Sequence, residues 1–237
     1  MKALVTGASG GIGSAVAEAF EDGGHGVLRQ DLRSPAGGSD GFVVGNLTDE
    51  GVLAELTRRV EEEQVDAVVA AHGVAGAVDL RSISAEQTRF VMRANTISVL
   101  RLYDAVAPAL RERSGVFVMI ASQAGLVGEA NNGVYCASKF ALVGWARAQA
   151  RADADAAPRL RVLCPGATET PLLVEAFRGM ADSAGRTYED ILGSREAAIP
   201  AGRLGRPVEL GAAAVWLAGL TTGSCIVAAV TGGEVLH

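Results

Sequence analysis

The stretch VTGASGGIG, Val5 to Gly13, constrains this chain more than any other. An apolar run, Lys2 to Thr6, leads straight into four glycines within seven residues, and helical spacing follows at Val16, Ala19 and Phe20. A strand that gives up its side chains just before a helix is a turn approached closely by something. Glycines there permit a tight bend and let backbone N–H groups reach an anion, and the helix N-terminus adds its positive dipole. A plain strand-to-helix turn has no need of four glycines. The strict G-x-G-x-x-G spacing is absent. The letters fit T-G-x-x-x-G-x-G, through Gly7, Gly11 and Gly13, and equally T-G-x-x-G-x-x-G, through Gly7, Gly10 and Gly13. By itself the loop predicts a site for a phosphate or nucleotide and no more.

The rest of the chain repeats the strand-then-helix alternation. Apolar runs at 2–6, 26–31, 41–46, 65–71, 115–122, 159–166 and 225–230 read as strands. Periodic segments at 14–24, 48–63, 85–112, 133–153 and 209–219 read as helices, the second opened by a capping-type Thr48. Near-continuous Val/Ile/Leu/Ala strands separated by helices predict an α/β fold, a parallel sheet covered on both faces. No linker divides the chain, so we expect one domain over residues 1–237. The least regular stretch, 171–204, carries Leu172, Leu173, Phe177, Met180 and Ile191 among Gly, Ser and charged residues. Such a stretch predicts a lid over a site, or an insertion whose short helices pack on themselves.

Several function classes are excluded. The net charge is −6 and no basic block exists, which opposes a nucleic-acid partner. No apolar run approaches the roughly 18–20 residues of a membrane span, and with a strand beginning at Lys2 we expect no signal peptide. Cys136, Cys164 and Cys225 are scattered and so are the three histidines, which fits a reducing cytoplasm and opposes a metal site.

Two further features bear on chemistry. Asp31, at the end of the second strand and 18 residues after Gly13, is placed to accept hydrogen bonds from an adenosine ribose and to repel a 2′-phosphate. Position 10 carries no charge, although Arg29 and Arg33 flank Asp31, so we expect NAD in preference to NADP. Tyr135 and Lys139 stand four apart on one helical face. An ammonium beside a phenol lowers its pKa and makes it a general acid/base. Of 21 cationic side chains only Lys2 and Lys139 are lysines. That usage suggests that position 139 rejects the planar guanidinium.

With these residues in hand, the chain resembles the short-chain dehydrogenase/reductase family, in its short-form branch, over essentially its whole length. TGASGGIG (6–13) resembles the family's cofactor loop, and AAHG (70–73) stands where the family has N-N-A-G. Asn95 in MRAN matches its helix asparagine, and Ser122 lies the usual thirteen residues before Tyr135. CPGATET (164–170) resembles its P-G-x-x-x-T segment, and IPAGRLGRPVE (199–209) a stretch of the short-form branch.

The resemblance implies a single doubly wound domain of the Rossmann type with about seven strands, and a nicotinamide-dependent oxidoreductase acting on a small alcohol or ketone. It implies a homotetramer, or a homodimer, built on the helices at 85–112 and 133–153. It also implies catalytic roles for Asn95, Ser122, Tyr135 and Lys139: Tyr135 moves the proton, Lys139 lowers its pKa and holds the nicotinamide ribose, Ser122 bonds the substrate oxygen, and Asn95 holds a relay water. Cofactor contacts would come from Gly7, Ser9, Gly11, Ile12, Gly13, Asp31, Asn46, Leu47, Ala71, Gly73, Tyr135, Lys139, Pro165, Gly166, Thr168 and Thr170.

The chain departs from the family pattern at His72, for which we expect a structural role bonded to backbone, at Asn46-Leu47, and in the final strand. Val127, Glu129 and Asn131 are placed to line a substrate wall. A regulatory nucleotide-binding protein that has lost its chemistry, an NADP-dependent reductase, and an epimerase or dehydratase of a longer branch are the alternatives.

Overall fold

The computed structural model describes residues 1–33, 41–75, 84–130, 132–152 and 158–235; Asn131 lies outside them. Seven parallel strands form one sheet in the order β3-β2-β1-β4-β5-β6-β7. They are β1 (Lys2–Thr6), β2 (Gly26–Asp31), β3 (Phe42–Val44), β4 (Ala67–Ala70), β5 (Val116–Ile120), β6 (Arg159–Pro165) and β7 (Cys225–Val230). The expected doubly wound α/β architecture is what the structure has. From β1 the chain runs outward to β3 and then returns to β4 on the other side, so loops diverge above the paired ends Thr6 and Ala70. A crevice at such a reversal is where open α/β sheets bind ligands.

Alternate residues of each strand feed two cores, because side chains in a strand point to opposite faces. Ala3 and Val5 pack with Val16 and Phe20 of α1 (Gly11–Asp22). Leu210, Ala214 and Leu217 of α8 (Pro207–Gly219) close that layer. A Cβ on Gly211 would stand 2.4 Å from the Ala15 carbonyl oxygen, so α8 meets α1 only because that residue is glycine. On the other face Leu4, Val68, Phe117 and Leu160 pack against α2 (Glu50–Glu62), α4 (Ser98–Glu112) and α5 (Gly133–Ala152).

Local structure departs from expectation in three places. Asp49, not Thr48, caps α2 by accepting from the Gly51 N–H at 2.8 Å; Thr48 is drawn instead to the Asn46 side-chain carbonyl. The expected helix over 85–112 is α3 (Ala85–Met92), one π-helical turn (Arg93–Ile97) and then α4. The extra residue of a π turn rotates the side chains that follow it, and here it carries Asn95 fully buried.

The irregular segment is itself largely helical. The third departure is α6 (Pro171–Ala184), capped by Thr170, followed by α7 (Tyr188–Ala198) with a Thr187/Asp190 capping box. Phe177, Ile199 and Leu204 bury one another there, joined by Leu173, Tyr188 and Ile191. Part of the apolar cover expected of a lid is therefore spent on packing the segment itself. Leu172 and Met180 remain 47% and 39% exposed.

Candidate active site

The glycine loop opens where β1 stops. Gly7 has φ +65°, and the Gly10 N–H donates to its carbonyl at 2.9 Å, closing the turn. Helix α1 then begins at Gly11 with no side-chain cap and no acidic residue in its first turn, so its leading N–H groups are left for a ligand. The two glycine spacings now separate. A Cβ on Gly13 would lie 2.0 Å from the Gly7 oxygen, and one on Gly7 would lie 2.8 Å from the His72 Cα. One on Gly11 would lie 2.7 Å from the Thr170 methyl, but one on Gly10 only 3.2 Å from the Gly7 oxygen. Gly10, at an ordinary φ of −79°, is the one of the four with room for a side chain. The loop is built on Gly7, Gly11 and Gly13.

Asp31 closes the far side of this cradle, its carboxylate accepting from the Ser9 N–H at 2.8 Å and the Leu32 N–H at 2.6 Å. Arg29 is tied back to Glu21 at 2.6 Å. Asn46 is exposed, its carbonyl oxygen already holding Thr48; Leu47 is a core residue, so a ligand meets it through backbone. Across the crevice Pro165 ends β6, and the Gly166 N–H is bonded to Val230. The Thr168 hydroxyl donates to Gly166 at 2.9 Å, and Thr170 caps α6 against Gly11. Ile12 and Ala71 are partly buried against the core, and Gly73 adjoins Asn95 and Lys139.

The four expected catalytic residues converge at its floor. Ser122 lies two residues past the end of β5 and Tyr135 lies in the first turn of α5; a hydrogen bond joins their side chains. The Lys139 ammonium, one turn further on, lies 5.7 Å from the Tyr135 ring centre and donates to the Ile120 carbonyl at 3.1 Å. Asn95 braces the loop after β4, accepting from the Val74 N–H at 2.7 Å and donating to the Val74 carbonyl and to Ser138. A Cβ on Gly73 would stand 3.1 Å from Asn95 Oδ1 and 3.5 Å from Lys139 Nζ, so glycine keeps open a gap between them.

The electrostatics differ from the simple expectation. Burial pushes Tyr135 up to about 12, against the Ser122 hydrogen bond that draws it down, and the charges of Glu129 and Cys136 raise it further. Burial also lowers Lys139 to about 8. An ammonium was expected to bring the phenol down, but desolvation wins, and the ammonium is turned to the Ile120 carbonyl. Cys164, buried under Ser122, is raised to about 11 by burial and stays a thiol.

His72 is structural, as expected, but it bonds side chains and not backbone. Its Nδ1 lies 2.6 Å from the Thr6 hydroxyl and its Nε2 lies 2.9 Å from the Ser98 hydroxyl. Ser98 already donates to the Ala94 carbonyl at 2.8 Å, so Nε2 must donate to Ser98 and Nδ1 must accept from Thr6. Burial, and then the Lys139 charge, lower His72 to about 3, which keeps it neutral.

Comparison with known proteins decides the family. The model for the enoyl-(acyl carrier protein) reductase group of these enzymes matches residues 7–233. L-fucose dehydrogenase of Rattus norvegicus is 32% identical over 230 residues, covering 92% of this chain and 83% of that protein. The chain belongs to the short-chain dehydrogenase/reductase family. The 3-oxoacyl-(acyl-carrier-protein) reductase FabG of Escherichia coli is 30% identical over 246 residues, covering 99% of this chain and 94% of that one. An actinorhodin polyketide ketoreductase variant, solved with NADPH, superposes with a TM-score of 0.87 at 25% identity, covering 98% of this chain and 96% of that one. The protein is thus a nicotinamide-dependent oxidoreductase of this family acting on small molecules. Among the described residues no helix is long and apolar enough to cross a membrane, and no group of His, Cys, Asp and Glu is arranged to hold a metal ion.

Proposed function

We propose that this enzyme interconverts a secondary alcohol and a ketone, preferring NAD(H), with Ser122, Tyr135, Lys139 and Asn95 as its working set. The observation that carries this reading is the Tyr135–Lys139 pair. The phenol is hydrogen-bonded to a serine, and a nearly buried ammonium alongside has one backbone carbonyl as its hydrogen-bond partner among the described residues. The bound nicotinamide supplies or accepts the hydride. Tyr135, protonated through the neutral pH range, gives its proton to the oxygen of a ketone as the carbonyl carbon is reduced. In the other direction it takes the carbinol proton as the phenolate. Ser122 donates to the same oxygen as charge develops on it. Lys139 has N–H groups left for a ribose hydroxyl. A water held between Lys139 and Asn95, beside the side-chain-free Gly73, would replenish the proton of Tyr135.

NAD is favoured over NADP by three features. Asp31 occupies the cradle, Arg29 is bound to Glu21, and Gly10 offers no charge. The described residues fit a dinucleotide: uncapped N–H groups face its pyrophosphate, and Asp31 faces its ribose. Phe90, Ile97 and Phe140, exposed on and around the helices that the resemblance assigns to subunit contacts, support a homotetramer. The decisive experiment is Tyr135→Phe. We expect turnover across an alcohol and ketone panel to fall at least about a thousandfold while NADH binding changes little. Wild-type turnover in that variant would overturn the mechanism, and NADH binding without turnover by the wild type would favour the regulatory alternative.

A further inference from the structure

Between Ser122 and Tyr135 the chain makes a turn that the chemistry above leaves unused. Glu129 sits at its centre, half-buried. One carboxylate oxygen accepts from Gln123 Nε2 at 3.1 Å and the other accepts from Asn132 Nδ2 at 3.1 Å. Gln123 follows Ser122 directly, and Asn132 precedes Tyr135 by three residues, so both amides hang from the catalytic segments. No cation is paired with Glu129 among the described residues. Its charge reaches Tyr135, where it contributes to holding the phenol protonated.

Gln123 is the second observation. It is 6% exposed, and its Oε1 is buried without a hydrogen-bond partner among the described residues. Its orientation is fixed chemically: turning the amide over would set its oxygen against the Glu129 carboxylate and lose the 3.1 Å bond. Gln123 must therefore present a bare acceptor on its other side. That acceptor lies 3.1 Å from where a Cβ on Gly166 would stand, beside the P-G segment that closes the crevice. An ionised carboxylate has about four lone-pair sites, and two are filled. The turn thus offers a carboxylate with no cation beside it and a bare carbonyl oxygen, against one N–H left on each of the two amides. A carboxylate or phosphate on the substrate would be repelled there. An ammonium would be disfavoured by the Lys139 charge buried beside Tyr135. What remains is a neutral molecule bearing hydroxyl donors.

We propose that Glu129 and Gln123 form a hydroxyl-recognition subsite, and that the substrate is a neutral polyol or sugar-like alcohol carrying a hydroxyl next to the carbinol that reacts. The inference rests on the oxidoreductase reading above. In the oxidation the carbinol C–H bond breaks and its hydride goes to the oxidised cofactor. The O–H proton goes to Tyr135 Oη, and a carbonyl forms. The neighbouring hydroxyl takes no part in bond making; it donates to Glu129 and sets the orientation. A site built to bond a hydroxyl rejects the analogue that lacks it, because its own buried acceptors are then left unpaired.

The test is NAD reduction by the purified enzyme with cis-cyclohexane-1,2-diol, cyclohexanol and a 2-hydroxy acid. We expect kcat/KM for the diol to exceed that for cyclohexanol by at least about tenfold, and the hydroxy acid to be the poorest. In Glu129→Gln, which is isosteric and uncharged, the diol-to-cyclohexanol ratio should fall to within about threefold, mainly through a higher KM for the diol. A wild-type enzyme that prefers cyclohexanol or the hydroxy acid overturns the subsite and leaves the oxidoreductase reading standing, as does a ratio unchanged in Glu129→Gln. If no alcohol or ketone is turned over by the wild type, the oxidoreductase reading itself fails, and the subsite with it. The wild-type preference keeps the test valid should the variant fold poorly.

Discussion

Lys139 and Arg161 are both buried cations, 4% and 0% exposed, and neither is paired with a carboxylate among the described residues. Their surroundings nonetheless differ. All five N–H groups of the Arg161 guanidinium are taken by backbone carbonyls. Nε donates to Leu217, Nη1 to Leu160 and Gly223, and Nη2 to Leu220 and Thr222, at 2.8 to 3.2 Å. Four of these carbonyls belong to the end of α8 and the loop into β7, where a cation also meets the negative end of the helix dipole, and the fifth, Leu160, is in β6 itself. Lys139 has three N–H groups and, among the described residues, one such carbonyl, Ile120. A buried cation whose donors are all satisfied holds the fold; one with donors to spare is able to take a ligand. The chain's preference for arginine follows the same division: the fork suits five carbonyls, and the compact ammonium suits a crevice that it shares with a phenol.

The sharpest break in this comparison is Lys139→Met. We expect kcat/KM to fall at least about a thousandfold, while the cofactor-free protein becomes more stable. Burial takes Lys139 from 10.5 to about 8, so keeping it charged at pH 7 costs the fold up to about 3 kcal/mol. Since its folded value lies below the unfolded one, the unfolded chain binds the extra proton between pH 8 and 10.5. Wild-type stability therefore gains with rising pH through that window, and the advantage of the variant shrinks. Urea unfolding at pH 7.5 and pH 10 checks both signs. Arg161→Met should do the reverse, destabilising by about 3 kcal/mol or more because buried carbonyls lose their donors, with kcat per folded molecule retained. A Lys139→Met protein that is less stable than wild type at pH 7.5 would remove the distinction.

His72 belongs with Arg161. Both ring nitrogens are used, and the ring ties the residue before the glycine loop, Thr6, to the start of α4 just beyond the π turn that carries Asn95. His72→Ala should cost about 1–3 kcal/mol by removing the 2.6 Å acceptor of the Thr6 hydroxyl and the donor to the Ser98 hydroxyl oxygen. Its effect on activity should be smaller than that of Lys139→Met, a loss of about tenfold seen in kcat and KM together as cofactor cradle and catalytic helix lose their link. Thermal melts and steady-state kinetics on the same preparation measure both.

What the sequence revealed follows the range of the interactions. Strands and helices of the sheet core were legible because their apolar periods are local, and the glycine loop because turn and helix start adjoin. The two glycine spacings were not separable by letters, since the difference lies in what a Cβ would strike: Gly7 for Gly13, Thr170 for Gly11. Helix α7 was obscured because its apolar face is short, Tyr188, Ile191 and Leu192, and none of its residues is fully buried. Its Thr187/Asp190 capping box, and Thr170-Pro171 ahead of α6, were visible signals of helix starts. The His72 bonds join residues 66 and 26 positions apart, a pairing no local pattern carries. Gln123 was missed although it adjoins Ser122, for its meaning depends on Glu129 across the turn.

The smallest and finest test carries the comparison from side chains to backbone. The uncapped start of α1 is the peptide counterpart of Lys139, since its first-turn N–H groups have no side-chain partner. Gly10 is the N-cap, at ordinary backbone angles, and a Cβ there meets only the Gly7 oxygen at 3.2 Å. Gly10→Asp would supply the missing cap from within the chain. We expect it to raise the stability of the cofactor-free protein by a few tenths of a kcal/mol, while a carboxylate set where the pyrophosphate belongs weakens NADH binding by about tenfold or more. Fluorescence titration with NADH beside urea unfolding reads the two together. Unchanged NADH affinity in a variant whose helix has gained its cap would mean that these N–H groups are not the anion site, and that spare donors do not mark the ligand in this fold.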